Sequence, residues 1–125
     1  MSKALSDQEL HNLAMNIVGK DLESKGYEFI AVNSQLKRHP QFVCTDKHNH
    51  RYFVIAKATT ISNKPITYDV IWMETFKKHA ASQQAKVLFA GVGLGNVKNR
   101  ELPPNLNEEY LLQYDGLQSL AIELN

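Results

Sequence analysis

Three histidines, His39, His48 and His50, stand within twelve residues of one another in this 125-residue sequence. An alternating pair such as His48 and His50 can put two imidazoles on one side of an extended chain and offer both to one metal ion. A closed site needs further ligands, and only Asp46 stands nearby, so an exposed turn without a metal is the expected state. The single cysteine, Cys44, could be a nucleophile only beside an activating base. It lies in the middle of an apolar run, which makes it a small buried hydrophobe, and being alone it forms no intramolecular disulfide. Gly91-Val92-Gly93-Leu94-Gly95-Asn96 could bring backbone amides to a phosphate, but such a loop must open a helix, and Pro103-Pro104 follow instead. Close packing of a strand end against another backbone is expected there. Asp69 and Glu74 are wrongly spaced to share a helix face. Tyr68, Trp72 and Phe76, at i, i+4 and i+8, form a stripe that could dock a partner or stack bases, or serve as the core face of a helix.

Charge is unevenly distributed along the chain. The formal net charge is +1. Residues 36–100 carry eleven basic and three acidic side chains, whereas residues 1–35 sum to −2 and residues 101–125 to −5. A basic middle segment can attract phosphates, and the cations that would touch them are Lys37, Arg38, Lys47, Arg51 and Lys57. The acidic C-terminal stretch could cancel that field.

These residues need elements to position them. Ser6-Asp7-Gln8-Glu9 has capping-box spacing, and Leu10, Leu13, Ala14, Ile17, Val18 and Leu22 continue as a helical stripe that Gly26 ends. Gly19, costly inside a helix, suggests a close approach by a neighbouring element. Tyr27–Asn33 alternates as a strand. Gln41–Thr45 and Arg51–Thr59 read as an antiparallel hairpin around Asp46-Lys47-His48-Asn49-His50. Pro65 fits the first turn of a second helix carrying Tyr68, Trp72, Met73, Phe76 and Ala80 inward. Lys86–Val92 is a strand buried on both faces, and Glu109–Tyr114 a final one closed by Asp115-Gly116. The order α-β-β-β-α-β-β predicts one α/β (α+β) domain over residues 1–125, a mixed sheet sandwiched by helices. No segment is apolar over the length of a bilayer and the first residues lack a signal-peptide core, so a cytoplasmic protein without membrane contact is expected.

The order of elements, with Lys25-Gly26-Tyr27 between the first helix and first strand, resembles the restriction-endonuclease-like, or PD-(D/E)XK, superfamily and its small resolvase-like members. That resemblance covers about residues 8–92 and implies an acidic residue on the first arm of the hairpin and an acid-x-lysine triplet on the second. Lys57 in Ile55-Ala56-Lys57 matches the lysine. Ile55 stands where a carboxylate should be, and Pro40-Gln41-Phe42-Val43 holds no acid. Such nucleases use carboxylates to bind the divalent cation that activates water, so the resemblance implies a degenerate member with no catalytic residue, or Lys57 alone in a residual nuclease. The whole chain is also similar to a family of short bacterial proteins of unknown role, some of them labelled as a component of the sodium-translocating NADH:quinone reductase; Glu9-Leu10-His11-Asn12-Leu13-Ala14 and Ala90-Gly91-Val92-Gly93-Leu94 carry that similarity. The label implies four cluster-binding cysteines, a much longer flavin and nicotinamide module and a membrane anchor. One cysteine cannot supply the cluster, and no cofactor is expected.

The leading expectation is a non-enzymatic interaction module, assembling as a homodimer and docking through Tyr68, Trp72 and Phe76. A nucleic-acid-binding protein or residual metal-dependent nuclease is the first alternative. A small-molecule enzyme using His48, His50 or Asp69 is the second.

Overall fold

Helix α1, Asp7–Ser24, starts where Ser6 and Glu9 cap each other. The Ser6 hydroxyl accepts from the Glu9 N–H at 3.2 Å, and the Glu9 carboxylate accepts from the Ser6 N–H at 2.9 Å, the reciprocal pair that the spacing predicts. Its buried face is His11, Ala14, Met15, Val18 and Leu22. Leu10, Leu13 and Ile17, expected on the same stripe, are half-buried and pack against that core. Beyond the helix end Gly26 takes φ +87°, a conformation that costs glycine no Cβ clash. At Gly19 a Cβ would sit 3.6 Å from the Phe42 ring, an ordinary contact, so no close approach requires glycine there.

The computed structural model describes residues 3–36, 38–61, 66 and 68–120. Strands β1 (Glu28–Val32), β2 (Phe42–Thr45), β3 (Arg51–Thr59), β4 (Ala85–Asn96), β5 (Tyr110–Tyr114) and β6 (Gln118–Leu120), with helix α2 (Val70–Ser82) between β3 and β4, complete the element order. The sheet runs β1-β2-β3-β4-β5, and β6 pairs with β4 as well. β1, β2 and β3 form an antiparallel meander. β4 lies parallel to β3, in register from Arg51↔Ala85 to Thr59↔Gly93. A parallel neighbour requires a crossover, and α2 supplies it. β5 and β6 both pair antiparallel to the far side of β4.

Alternation along β3 and β4 divides the interior into two layers. Val54, Ala56, Leu88, Ala90, Val92 and Leu94 pack with α1, while Phe53, Ile55, Val87 and Phe89 pack with Met73, Phe76 and Ala80 of α2. One helix therefore covers each face, which makes the α+β sandwich three-layered. β4 reads as a continuous apolar run because it is covered on both sides.

Three sequence expectations change. The strand expected to end at Val92 continues to Asn96, so the glycine-rich segment is strand and opens no helix. Its glycines serve close packing, since a Cβ at Gly95 would come within 2.7 Å of the Arg100 carbonyl and one at Gly91 within 2.8 Å of Ile66. Helix α2 is capped by Asp69, whose side chain accepts from the Trp72 N–H, so Tyr68 precedes the helix; Pro65 lies outside the described residues. Asp115-Gly116 leads into β6, a three-residue strand too short to show periodicity.

Candidate functional site

Strand β2 begins at Phe42, opposite Val54, whereas β3 runs on to Thr59. The two arms of the hairpin part there, and Gln41 fills the fork. Its N–H donates to the Val54 carbonyl at 3.0 Å, and its own carbonyl accepts from Asn33. The side chain extends the pairing: Oε1 accepts from the Ala56 N–H at 2.8 Å, and Nε2 donates to the Arg38 carbonyl at 2.8 Å and lies 2.9 Å from His39 Nδ1. Gln41 is fully buried, where an unpaired amide would be costly, and both ends of its amide are committed.

A cleft of about 400 Å³ opens beyond this fork. Ile55, Ala56, Lys57 and Ala58 of β3 form one wall. Tyr68, Asp69, Trp72 and Met73, at the start of α2, form the other; Leu36, His39 and Gln41 close one end, and His11 reaches it from α1. Asp69 Oδ1 accepts from the Trp72 N–H at 2.8 Å, so this carboxylate fixes the helix start while lining the cleft. Trp72 is 39% exposed. Its ring stacks on Phe76 at 5.1 Å and meets the edge of His39 at 4.9 Å, while Tyr68 stands edge-on to Phe89 at 4.9 Å. His11 is 5% exposed, and its Nε2 is buried without a hydrogen-bond partner among the described residues. Burial, and then the neighbouring His39, hold its pKa below the ordinary histidine value, so at neutral pH it is an uncharged imidazole.

The opposite end of the hairpin is organised by Asp46. Its Oδ1 accepts from the His48 and His50 N–H groups, both at 2.9 Å. Its Oδ2 lies 3.0 Å from His50 Nδ1 and accepts from the Tyr52 hydroxyl at 3.1 Å. Desolvation alone would raise this carboxyl's pKa; the hydrogen bonds from His50, His48 and Tyr52 outweigh it and hold it well below the usual carboxylate range. The His48 and His50 rings are 6.1 Å apart. Among the described residues no group of three or more His, Cys, Asp and Glu side chains is arranged to hold a metal ion. Asp46 is a structural knot in a tight turn.

The candidates named from the sequence are thus split between two places. Lys57 lines the cleft, and Arg38 adjoins it through its carbonyl. Lys47 and Arg51 belong to the Asp46 turn, about 20 Å away along β3 at roughly 3.3 Å per residue. Lys37 lies outside the described residues. His39 sits in the cleft, apart from His48 and His50, and Asp69 is likewise at the other end of β3 from that pair. Tyr68, Trp72 and Phe76 do not form one surface: Tyr68 is half-buried, Trp72 partly exposed and Phe76 buried. Cys44 is buried and its thiol is pushed up to about 11 by burial and then by Asp46, which makes it a poor nucleophile.

Two cleft residues were not singled out from sequence. His11 carried a readable signal, because Ala14, Met15, Val18 and Leu22 follow it at three, four, seven and eleven residues, so it is the polar member of the buried stripe. Gln41 carried none, since its role depends on where β2 begins. A larger opening of about 640 Å³ lies between α1 and β1, lined by Asn12, Asn16, Lys20, Glu23 and Phe29 among others. It gathers no histidine and no buried unpartnered group among the described residues, so the smaller cleft is the better candidate.

Residues 8–120 match the family described as a domain of unknown function, DUF8840. No curated protein and no solved structure matches the chain. Nothing in these comparisons supports the quinone reductase label or the endonuclease-like fold.

Proposed function

The chain belongs to the DUF8840 family, and we propose that it is a non-enzymatic binding module on a nuclease-like sandwich, with the Gln41–Lys57 cleft as its binding site. What supports this reading is the element order on which the endonuclease resemblance rests, together with the place of Ile55-Ala56-Lys57 on the cleft wall. The observation that carries the reading is the state of the two positions where such an enzyme would hold its metal. The Gln41 amide is consumed by Ala56 and Arg38, and Ile55 is packed in the apolar layer under α2. Neither offers the negative charge that a divalent cation needs to activate water. Incubated with single- and double-stranded DNA and RNA and with magnesium or manganese, the protein is expected to leave every substrate intact. Metal-stimulated cleavage that Lys57→Ala abolishes would overturn the proposal.

A nucleic-acid-binding reading is favoured by one feature, the partly exposed Trp72 ring on the same cleft as Lys57. A cation beside an aromatic face is the minimal arrangement for a stacked base and its phosphate. This reading requires single-strand binding whose affinity falls steeply as salt rises and weakens with Trp72→Ala. No binding at low salt removes it.

We further propose self-association as a homodimer. The support is the first turn of α2, where Val70 and Ile71 are 66% and 82% exposed beside Trp72.

A further inference from the structure

The sheet has two edges, and they differ in protection. β1 carries a bulge between Phe29 and Ala31, the kind of irregularity that turns an edge away from a further strand. β5 carries none: its five residues pair with β4 in unbroken register, from Val92↔Tyr114 to Asn96↔Tyr110. Tyr110-Leu111-Leu112-Gln113-Tyr114 contains no charge and no proline, and Tyr110, Leu111 and Leu112 are all exposed. Among the described residues no backbone group pairs with its outer side. An edge that is open, apolar and regular is a template for another strand. We propose that the β5 edge takes up an extended segment of a partner protein, apolar at alternate positions and bearing a lysine or arginine at each end.

The surface beside this edge has the shape that strand addition needs. The Tyr114 hydroxyl donates to Asp21 of α1 at 2.6 Å, so Tyr110, Leu112 and Tyr114 share the face that α1 covers. α1 leaves that face open at the edge, where Leu112 is 49% exposed and a groove of about 370 Å³ runs from Leu5 and Leu13 to Pro104, Leu106 and Tyr110. An added strand pairs through its backbone and turns every second side chain toward such a groove. The ends of β5 fix the charge. Glu109 and Asp115 flank the strand, are exposed, and form no ion pair among the described residues. Lys25 reaches toward Gly116 but pairs with Asp21 at 3.0 Å. The same two acids disfavour a second copy, because antiparallel self-pairing about Leu112 would set Glu109 opposite Asp115 of the other copy at both ends. A partner segment with cations there meets opposite charges instead.

Two probes test this: the peptide Lys-Val-Thr-Val-Thr-Val-Lys, whose sequence reads the same in both directions, and its counterpart with glutamate at both ends. Both are blocked at their termini and followed by the fluorescence anisotropy of an attached dye. The lysine peptide is expected to bind with a dissociation constant on the order of 100 μM, in keeping with the small area that so short a strand buries. The glutamate peptide is expected to bind at least about tenfold more weakly, since two attractive cross-strand pairs become repulsive. Methylating alternate backbone nitrogens of the lysine peptide is expected to abolish binding in one of the two possible patterns and to spare it in the other, because an added strand pairs through one side only. Leu112→Lys, at an exposed position, is expected to lose binding while keeping the unfolding transition. Glu109→Lys combined with Asp115→Lys is expected to reverse the preference toward the glutamate peptide. No binding of either peptide, equal binding of both, or equal sensitivity to the two methylation patterns would overturn the proposal. So would a wild-type dimer dispersed by Leu112→Lys and untouched by Ile71→Lys, which would make a second copy the occupant. None of these outcomes concerns the Gln41–Lys57 cleft or metal-stimulated cleavage, so this proposal and the preceding one fail separately.

Discussion

Gln41 shows how one side chain can take over the work of a strand. The hairpin needs something to pair the Ala56 N–H once β2 has ended, and a glutamine is long enough to reach it while donating back to Arg38. Gln41→Leu keeps the shape and deletes both hydrogen bonds, leaving a buried N–H and a carbonyl unsatisfied. The expected cost is about 2–3 kcal/mol in urea unfolding. A loss near zero would mean that water replaces the amide. The site was only partly legible at this scale: Lys57 could be named from the triplet, and His11 could have been from its spacing. Gln41 could not, and His39 was named only in company with His48 and His50, because the place of each in the cleft depends on contacts with residues on other elements.

Helix α1 carries two local features of opposite sign. The Ser6–Glu9 box satisfies N–H groups that the helix itself cannot. Ser6→Ala should therefore cost about 1 kcal/mol in the same urea unfolding measurement. Gly19 carries the entropic penalty of a flexible residue in mid-helix, and a Cβ there would meet the Phe42 ring at ordinary contact distance. Gly19→Ala should stabilise by about 0.5–1 kcal/mol, read as a rise in the denaturation midpoint at constant m-value. A destabilised Gly19→Ala would show that the α1–β1 layer cannot accept one methyl group. α1 was the element best read from sequence, because capping and periodicity are both local. α2 was placed too early, since Tyr68 has the right spacing for its stripe and Asp69 fixes the start only through its bond to Trp72.

At the scale of the whole molecule, charge and apolar exposure point to different surfaces. Among the described residues Lys57 lies at the cleft end of β3 and Lys47 and Arg51 at the Asp46 turn, so these named cations do not gather into one patch. Val70 and Ile71 are adjacent to Trp72 and exposed together, as expected of a surface that meets another protein. The proposed homodimer predicts a concentration-dependent shift from monomer to dimer in sedimentation velocity, reversed by Ile71→Lys. A wild-type chain that stays monomeric at high concentration would remove the proposal. No helix among the described residues is long and apolar enough to cross a membrane.

Periodicity, capping and turn residues determined the identity and order of nearly every element, because each depends on neighbours within a few positions. Residue types, fixed by sequence alone, also show that Ile55 and the segment Pro40-Gln41-Phe42-Val43 hold no carboxylate. Tertiary structure decided the rest: that β4 lies parallel to β3, that the glycine-rich segment is strand, and that His39 parts from His48 and His50 while His11 joins it. The physical reason is that a cleft is made by where strands diverge and helices start, and both are settled by long-range hydrogen bonds and packing that no local pattern encodes.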